Sequence, residues 1–312
     1  MTITPLPQSE QADQTKPADQ TVSQSPSLVE PKPHLSMRVS CAGGAQDASF
    51  IAHQYATYPF RLSGNLRLDP SDPHRVYAYI MNACPGILSG DNLQLALQVG
   101  ERASLYLTDQ SATKVHSRPP GGATAHQTWT MEVGANAYLE YVPEPMILFK
   151  AAALTQRMQV TLHPQGRLVL SEIIVPGQLA RGEFYDFDQF QSRLRVHTPD
   201  GQLCFADNQR LTGRSNHLKH SPFIADFPIM GNFILVVPGV PLSDLTQAIQ
   251  ANEKILEISS ELQMGQSPLP NCNGLLVRAI ATRVSLLKTY RRYLLNCVRQ
   301  LTNQPPLPDI PK

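Results

Sequence analysis

The chain has 312 residues, long enough for one large domain or two ordinary ones, so it can bury a core without disulfides. Its 26 Lys and Arg residues balance 25 Asp and Glu residues, which leaves no basic surplus for binding a nucleic-acid backbone. Only 16% of the residues are charged, against about 25% in a typical soluble protein. Such a weakly charged surface suggests that other proteins cover part of it.

The cysteines and the N-terminal sequence bear on the cellular location of the protein. The five cysteines are scattered and never spaced as CxxC, which favours a reducing environment over a disulfide framework; they are Cys41, Cys84, Cys204, Cys272 and Cys297. No apolar run reaches the roughly 18 residues of a membrane span. The first 30 residues lack the basic start and apolar core of a secretory signal. We therefore expect a cytoplasmic protein that binds neither nucleic acid nor membrane.

Both ends of the chain have compositions typical of unstructured segments. Residues 1–36 contain six prolines and five glutamines, and no aromatic residue precedes Phe50, so we expect a disordered tail. Residues 304–312 are proline-rich and should form an extended coil. Between them we predict a β-rich body over residues 37–241 and a helical part of the same domain over residues 242–303.

Alternating apolar residues predict half-buried strands in the body. In LQLALQV, Leu93, Leu95 and Leu97 share one face while Gln and Ala residues occupy the other. The segments TWTMEV, AYLEYV and MQVTL alternate in the same way. Each of four leading strands is followed by a short turn and a second strand, and the leading strands begin near residues 93, 128, 158 and 193.

This spacing indicates stacked strand pairs. They could form a β-solenoid or an elongated sandwich of stacked sheets, or instead an ordinary β-sandwich built from hairpins. Both alternatives are mainly β, so we predict a mainly β fold with a small C-terminal α-helical part.

After Pro241 the periodicity changes to that of helices. Ser243 can cap a helix with Asp244 in its first turn. Apolar residues from Leu276 to Leu301 then recur by threes and fours, which predicts a longer helix after Pro270. Basic residues on its other faces predict a solvated surface, with docking of an acidic partner as the alternative; they are Arg278, Arg283, Lys288, Arg292 and Arg299.

The best-marked catalytic signatures are absent from the sequence. There is no GxxxxGK[ST], no GxGxxG after a strand, and no GxSxG, HExxH or paired CxxC. Of the nine histidines, only His217 and His220 are close in sequence, and in a loop they could share nickel or zinc or simply be exposed. Cys84 is a further soft-ligand candidate, or a turn-packing residue.

Three acidic residues are candidates for contact with a cation in transit. Glu172 interrupts the apolar strand LVLSEIIV, where a carboxylate costs several kcal/mol unless it is paired, protonated or facing water. Asp91 follows Gly90 at a turn, and Glu183 lies in ARGEF after a loop. Such acids could line an aqueous passage for a divalent cation. The alternatives are turn capping for Asp91 and a structural ion pair for Glu183.

The segment TDQSATKVHSRPPGG, residues 108–122, follows a clearly predicted strand and begins with small and hydroxylated residues. Small residues let two backbones approach closely, so we expect tight packing or a partner contact here. No acid–base companion for Lys114 is visible, so the segment by itself supports no reaction. The contact candidates are Thr108, Gln110, Thr113 and Lys114.

Several segments, in this order, resemble the UreD-type urease accessory proteins, also called UreH. They are YPFRLSGNLRL, NACPGILSGDNLQLALQV, TDQSATKV, LEYVPEPMILF and EIIVPGQLARGEF, and the resemblance covers about residues 50–240. Cys84 and Ile87 stand where glycine-rich sequence is common in the family, and Gln178 stands where an arginine is frequent.

The resemblance implies a chaperone-like scaffold rather than an enzyme. Proteins of this family form a complex with UreF and the GTPase UreG, bind apo-urease and load its nickel centre, and nickel is thought to pass through the complex. No tightly bound cofactor is then expected, and nickel would bind transiently. Two other functions stay open: a β-sandwich metalloenzyme with His and carboxylate ligands, and a protein-binding module unrelated to nickel.

Overall fold

The computed structural model describes residues 32–43, 48–213, 217–253 and 260–312. Most of the predicted N-terminal tail lies outside the described residues. The described fold belongs to one unit, Pro33–Lys312. Its first strand begins at Leu35, two residues before the predicted start of the body.

The strands and helices of the described residues follow one another in chain order, with two short 3-10 helices at Leu179–Arg181 and His217–His220. They are β1 (Leu35–Cys41), β2 (Ser49–Ala56), β3 (Phe60–Leu62), β4 (Arg75–Asn82), β5 (Asn92–Val99), β6 (Ser104–Asp109), β7 (Thr113–Val115), β8 (Ala125–Val133), β9 (Tyr138–Tyr141), β10 (Met146–Leu148), β11 (Ala153–Leu162), β12 (Arg167–Val175), β13 (Gln189–His197), β14 (Leu203–Leu211), α1 (Pro222–Asp226), β15 (Ile229–Val236), α2 (Leu242–Glu253), β16 (Leu262–Pro268), β17 (Gly274–Ala281) and α3 (Val284–Leu301).

The strands form two sheets. The first sheet has the order β14-β13-β11-β8-β5-β1-β2. The second has the order β16-β17-β15-β12-β9-β6-β4-β3, with β10 pairing with β12 and β7. The mainly β class with stacked sheets is therefore confirmed.

The pairing decides between solenoid and sandwich for most of the body. From β4 to β13 the long strands alternate between the two sheets, and neighbours within each sheet run parallel, as β5, β8 and β11 do. The strands β6, β9 and β12 of the second sheet are also parallel to one another. A sandwich of hairpins would pair consecutive strands antiparallel in one sheet. Only the last predicted repeat does so, because β13 and β14 form an antiparallel hairpin.

The corners of the coils stack closely, and a glycine makes this approach sterically feasible. The N–H of Gly134 donates to Val99 O at 2.9 Å, which joins one corner to the corner of the preceding coil. A Cβ at Gly134 would lie 2.9 Å from Glu101 N, closer than a real Cβ contact. The short turns within the first three predicted strand pairs are therefore the corners of a solenoid.

Two hydrophobic cores give the described fold three layers. The first core lies between the sheets and includes Leu95, Met131 and Leu139. The second lies between the second sheet and helices α2 and α3, and includes Phe233 and Leu294. Because the second sheet is covered on both faces, all four residues of β9 are buried, whereas β5 alternates between buried and less buried positions. The alternation of apolar and polar residues in the sequence is therefore clearest for strands of the first sheet.

The C-terminal prediction needs two corrections. The helix expected after Pro270 begins only at Val284, because Gly274–Ala281 is strand β17 of the second sheet. The basic residues are also not a uniformly solvated surface. Arg299 is fully buried, and Arg291, which interrupts the apolar stripe of the helix, is 8% exposed. The helix α2 has Asp244 in its first turn as predicted, but it begins at Leu242, so Ser243 lies inside the helix and does not cap it.

Candidate functional site

A cavity of about 370 Å³ lies between the two sheets. Its lining is mixed, with apolar side chains such as Trp129, Tyr141 and Leu170 beside carboxylates and amides. The lining includes four carboxylates, Asp109, Glu144, Glu172 and Asp207, but only one amino group, that of Lys114. Two of these carboxylates have cationic partners from outside the lining, Asp207 in Arg278 and Glu144 in Lys288, whereas Glu172 has none among the described residues.

The polar lining arises from strand register. On the first sheet, Gln156 of β11 pairs with Gln127 of β8 on one side and with Ser192 of β13 on the other. On the second sheet, Glu172 of β12 pairs with Asn232 of β15. All five residues line the cavity. A row of polar residues at matching positions of successive coils thus crosses an otherwise apolar core, and we call it the polar row.

The same register places two carboxylates at one level of the second sheet. Tyr141 of β9 pairs with Leu107 on one side and with Leu170 on the other. Asp109 lies two residues after Leu107, and Glu172 lies two residues after Leu170. The two carboxylates therefore occupy equivalent positions along their strands, two strand spacings or about 10 Å apart. Both lie on the inward faces of their strands and line the cavity.

Glu172 is held by amides rather than by a cation. Gln156 Nε2 donates to its Oε1 at 2.9 Å, and Asn232 Nδ2 donates to its Oε2 at 3.2 Å. Within the described part of the chain, no Lys or Arg pairs with this carboxylate. Burial raises the pKa of Glu172, and the hydrogen bonds from Asn232 and Gln156 offset part of that effect. The ionised form therefore lacks a compensating charge that a bound cation could supply.

The other end of the cavity carries Asp109 and Glu144. Burial raises the pKa of Asp109 to about 7, although Lys312 and a hydrogen bond from the Glu144 backbone act in the opposite direction. Glu144 pairs with Lys288, with Lys312 at 3.0 Å and with Arg291 at 3.5 Å. Glu144 therefore has cationic partners, whereas Glu172 has only amide partners among the described side chains.

The loop that contains Cys84 packs against strand β7 beside the cavity. Cys84 Sγ donates to Gly86 O at 2.7 Å, and the N–H of Ile87 donates to Lys114 O at 2.8 Å. Cys84, Gly86 and Lys114 all line the cavity, and Lys114 is exposed. The two predicted segments NACPG and TKV therefore meet at one place. Thr113 also lines the cavity.

The structure brings only one of the three predicted transit acids to the cavity. Glu172 lines it, whereas Asp91 and Glu183 do not. Asp91 Oδ2 accepts the N–H of Leu88 at 2.8 Å, a turn-capping contact. Glu183 Oε2 accepts the N–H of Lys150 at 3.4 Å in a separate loop.

The predicted partner-contact residues and histidines are dispersed. Thr108 is buried and donates to Val142 O at 2.7 Å, whereas Gln110 is exposed. His220 is exposed, and the side chain of His217 lies outside the described residues. Among the described side chains, no group of three or more His, Cys, Asp or Glu residues could hold a metal ion. The five cysteines, all within the described residues, form no disulfide bond.

A buried ion network attaches α3 to the second sheet. Glu140 accepts hydrogen bonds from Arg75 Nη1 at 3.0 Å, from Arg299 Nη2 at 2.5 Å and from the Tyr138 hydroxyl at 2.9 Å. Arg75 also pairs with Asp72 at 2.9 Å. Burial opposes ionisation of Glu140, but the two guanidinium groups outweigh it and lower its pKa. This network fixes the layer that covers the cavity-lining sheet.

Sequence reasoning missed several lining residues, of which Asp109, Glu144 and Asp207 carry carboxylates. Asp109 ends a strand within the predicted contact segment, and Glu144 lies in the PEP turn of LEYVPEPMILF. The inward positions of Asp109 and Asp207 follow from the alternation and register of their strands. An alternation analysis that also marked polar residues on inward faces could have found Asp109 and Gln156.

A family model described as UreD urease accessory protein matches residues 32–312. The chain belongs to the UreD family. The family prediction is thus confirmed, and the match extends beyond residues 50–240 to include α3 and the last residues of the sequence.

Individual UreD relatives cover most of the chain. Urease accessory protein UreD of Trichodesmium erythraeum is 43% identical over 281 residues, which is 89% of this chain and 99% of that protein. The UreD of Haloarcula marismortui is 33% identical over 242 residues, 78% of each chain. The UreD of Natronomonas pharaonis is 30% identical over 264 residues, 85% of this chain and 86% of that protein. No helix in the described residues is long and apolar enough to cross a membrane.

Proposed function

We propose that this UreD-family chain is a non-catalytic, chaperone-like scaffold of the cytoplasm that helps to insert nickel into urease. In this proposal it joins UreF and the GTPase UreG to apo-urease, and nickel moves through the cavity between the sheets. Family membership supports the link to urease. The observation that carries the nickel route is the half-buried carboxylate of Glu172, which faces the cavity without a cationic partner among the described residues.

The chemistry of the cavity suits a cation in transit. Carboxylate oxygens, amide oxygens and the thiol of Cys84 are ligands that a borderline cation such as nickel accepts. These groups are spread along the cavity, so each position offers few ligands. A conduit must bind weakly enough to release its ion. An arriving cation also favours the ionised form of Glu172, which burial disfavours, so binding and deprotonation are coupled.

The test is urease activation by a Glu172→Gln variant. The variant keeps the size of the side chain but removes the negative charge. Co-expressed with UreF, UreG and apo-urease, and supplied with nickel and GTP, it should activate urease several-fold less than the parent chain. Because the substituted side chain points inward, co-purification with the partners should be unchanged.

Two acids outside the cavity lining provide matched controls. Glu183→Gln removes the same charge from a loop, and Asp91→Asn keeps an oxygen that can accept the Leu88 N–H. Both variants should activate urease as the parent chain does. Normal activation by Glu172→Gln, or an equal loss in all three variants, would contradict a route through this cavity.

Elemental analysis tests the metalloenzyme alternative. A scaffold through which nickel passes should purify with little metal. A tight stoichiometric metal in the isolated chain would instead favour an enzyme.

A further inference from the structure

Residues 304–312 form a strap that runs from the end of α3 to the cavity end of the second sheet. Leu307 anchors the strap, since its side chain is only 5% exposed and Arg292 donates to its carbonyl at 2.7 Å. Beyond Leu307 the strap belongs to no sheet or helix, although the Tyr79 hydroxyl donates to Pro311 O at 2.9 Å. Ile310 packs against the second core and Arg292 pairs with Asp309 at 3.3 Å, so only Pro311 and Lys312 need to move for the Lys312 ammonium to leave.

The ammonium group of Lys312 lies within a set of oxygen atoms. It donates to Asp109 O at 2.7 Å and to Thr108 Oγ1 at 3.1 Å, and it pairs with Glu144 Oε1 at 3.0 Å. Its nitrogen also lies 5.5 Å from the centre of the Tyr79 ring. A peptide carbonyl, a hydroxyl and a carboxylate are oxygen ligands that divalent cations bind in proteins. The ammonium thus occupies a position built for a cation.

This position belongs to one end of the cavity. Asp109 and Glu144 both line the cavity and both contact Lys312. Two other cations, Lys288 and Arg291, remain beside Glu144 when Lys312 is absent. They limit the affinity of the vacated position for a divalent cation, which suits an ion that has to be released.

We propose that Lys312 is a tethered cation that closes the Asp109–Glu144 end of the cavity, and that a divalent cation binds there only when Lys312 leaves. Its role in nickel delivery rests on the proposed function, whereas the competition is a property of this chain alone. Burial lowers the pKa of Lys312, and Glu144 offsets part of this effect. The ammonium is therefore held in place by its oxygen contacts against a cost of desolvation.

The proposal is tested by Ni²⁺ binding to the purified full chain, measured by equilibrium dialysis without urease or other proteins. Lys312→Met removes the charge and keeps a long side chain. If the site is vacant about a tenth of the time in the parent chain, this variant should bind Ni²⁺ about tenfold more tightly. Lys312→Arg restores a cation and should return the affinity towards the parent value.

Two comparisons locate the effect. The gain should disappear when Lys312→Met is combined with Glu144→Gln, because Glu144 supplies the carboxylate ligand. Lys219→Met is the matched control, since Lys219 also pairs with one carboxylate and its side chain is 33% exposed, against 35% for Lys312. This control should bind Ni²⁺ as the parent does.

Parent-like affinity in Lys312→Met would overturn the proposal, as would a gain that persists in the double variant or that appears equally in Lys219→Met. The outcome is independent of the nickel route. If Glu172→Gln activates urease normally while Lys312→Met binds Ni²⁺ more tightly, the route fails and the closure by Lys312 stands.

Discussion

Gly86 is the residue at which the Cys84 loop comes closest to strand β7. Its φ is +150°, and a Cβ built on it would lie only 2.2 Å from the backbone oxygen of Lys114. Backbone atoms of a strand cannot turn aside as a flexible side chain can. One hydrogen atom in place of a side chain therefore allows two segments, distant in sequence, to form one wall of the cavity.

Gly86→Ala should destabilise the protein, because alanine is strained at this φ and its methyl group displaces β7. We expect a loss of roughly 1–3 kcal/mol from backbone strain alone, measured as the free energy of unfolding in denaturant. The matched control is Gly64→Ala, since a Cβ at Gly64 meets nothing within 4 Å. Equal stability of the two variants would show that the close approach at Gly86 can relax.

Helix α3 is attached to the second sheet by both apolar and charged contacts. Its apolar stripe packs against the sheet, and Arg299 reaches Glu140 on β9 through two hydrogen bonds. All the charges of this contact are buried, so removing one partner leaves the other uncompensated in a low-dielectric environment.

Glu140→Gln should therefore cost about 3–5 kcal/mol of unfolding free energy, the range for a broken buried pair. Denaturant unfolding measures this value. Asp309→Asn is the comparison at the surface, where Arg292 and Asp309 lie 3.3 Å apart and the aspartate is exposed, and it should change stability little. A small effect of Glu140→Gln would mean that Asp72 or water compensates the two guanidinium groups.

The sequence predicts strands well where one face of the strand is exposed to solvent, and less well where both faces are covered. LQLALQV shows clean alternation because β5 has one buried face. The strand β17 was mistaken for a helix because Leu276 and Ile280 are four residues apart, a spacing that lies on one face of a strand as well as of a helix. Periodicity alone cannot separate these two structures for a short apolar run.

The candidate site was predictable only in part. Glu172 could be found because it interrupts an apolar strand. The contact between Lys312 and Asp109 could not, since 203 residues separate them and only the path of α3 and the strap brings them together. Which acids line the cavity depends on the pairing of strands from different coils, and no local pattern records that pairing.

For the molecule as a whole, the three layers imply a gradient of stability. Strands β9 and β12 lie within the second sheet, between the two cores, whereas β2 and β14 form the edges of the first sheet. Backbone hydrogen bonds are protected when their opening requires a large part of the core to unfold.

Hydrogen–deuterium exchange of the full chain should follow this gradient. Amides of β9 and β12 should exchange most slowly, at rates near those of global unfolding, and those of β2 and β14 should exchange faster. Peptide-resolved mass spectrometry can measure both sets in one experiment. Comparable protection of edges and centre would indicate that the layers open as a single cooperative unit.

The polar row also bears on how proteins of this architecture can diverge. Because it takes equivalent positions from successive coils, its length is set by the number of coils it crosses. Duplicating one coil would extend it by a single strand spacing, about 4.8 Å, and would leave the groups at its two ends chemically unchanged. The length of the polar row could thus evolve by gain or loss of whole coils. The chemical selectivity of its ends could evolve separately, by substitution of the residues there.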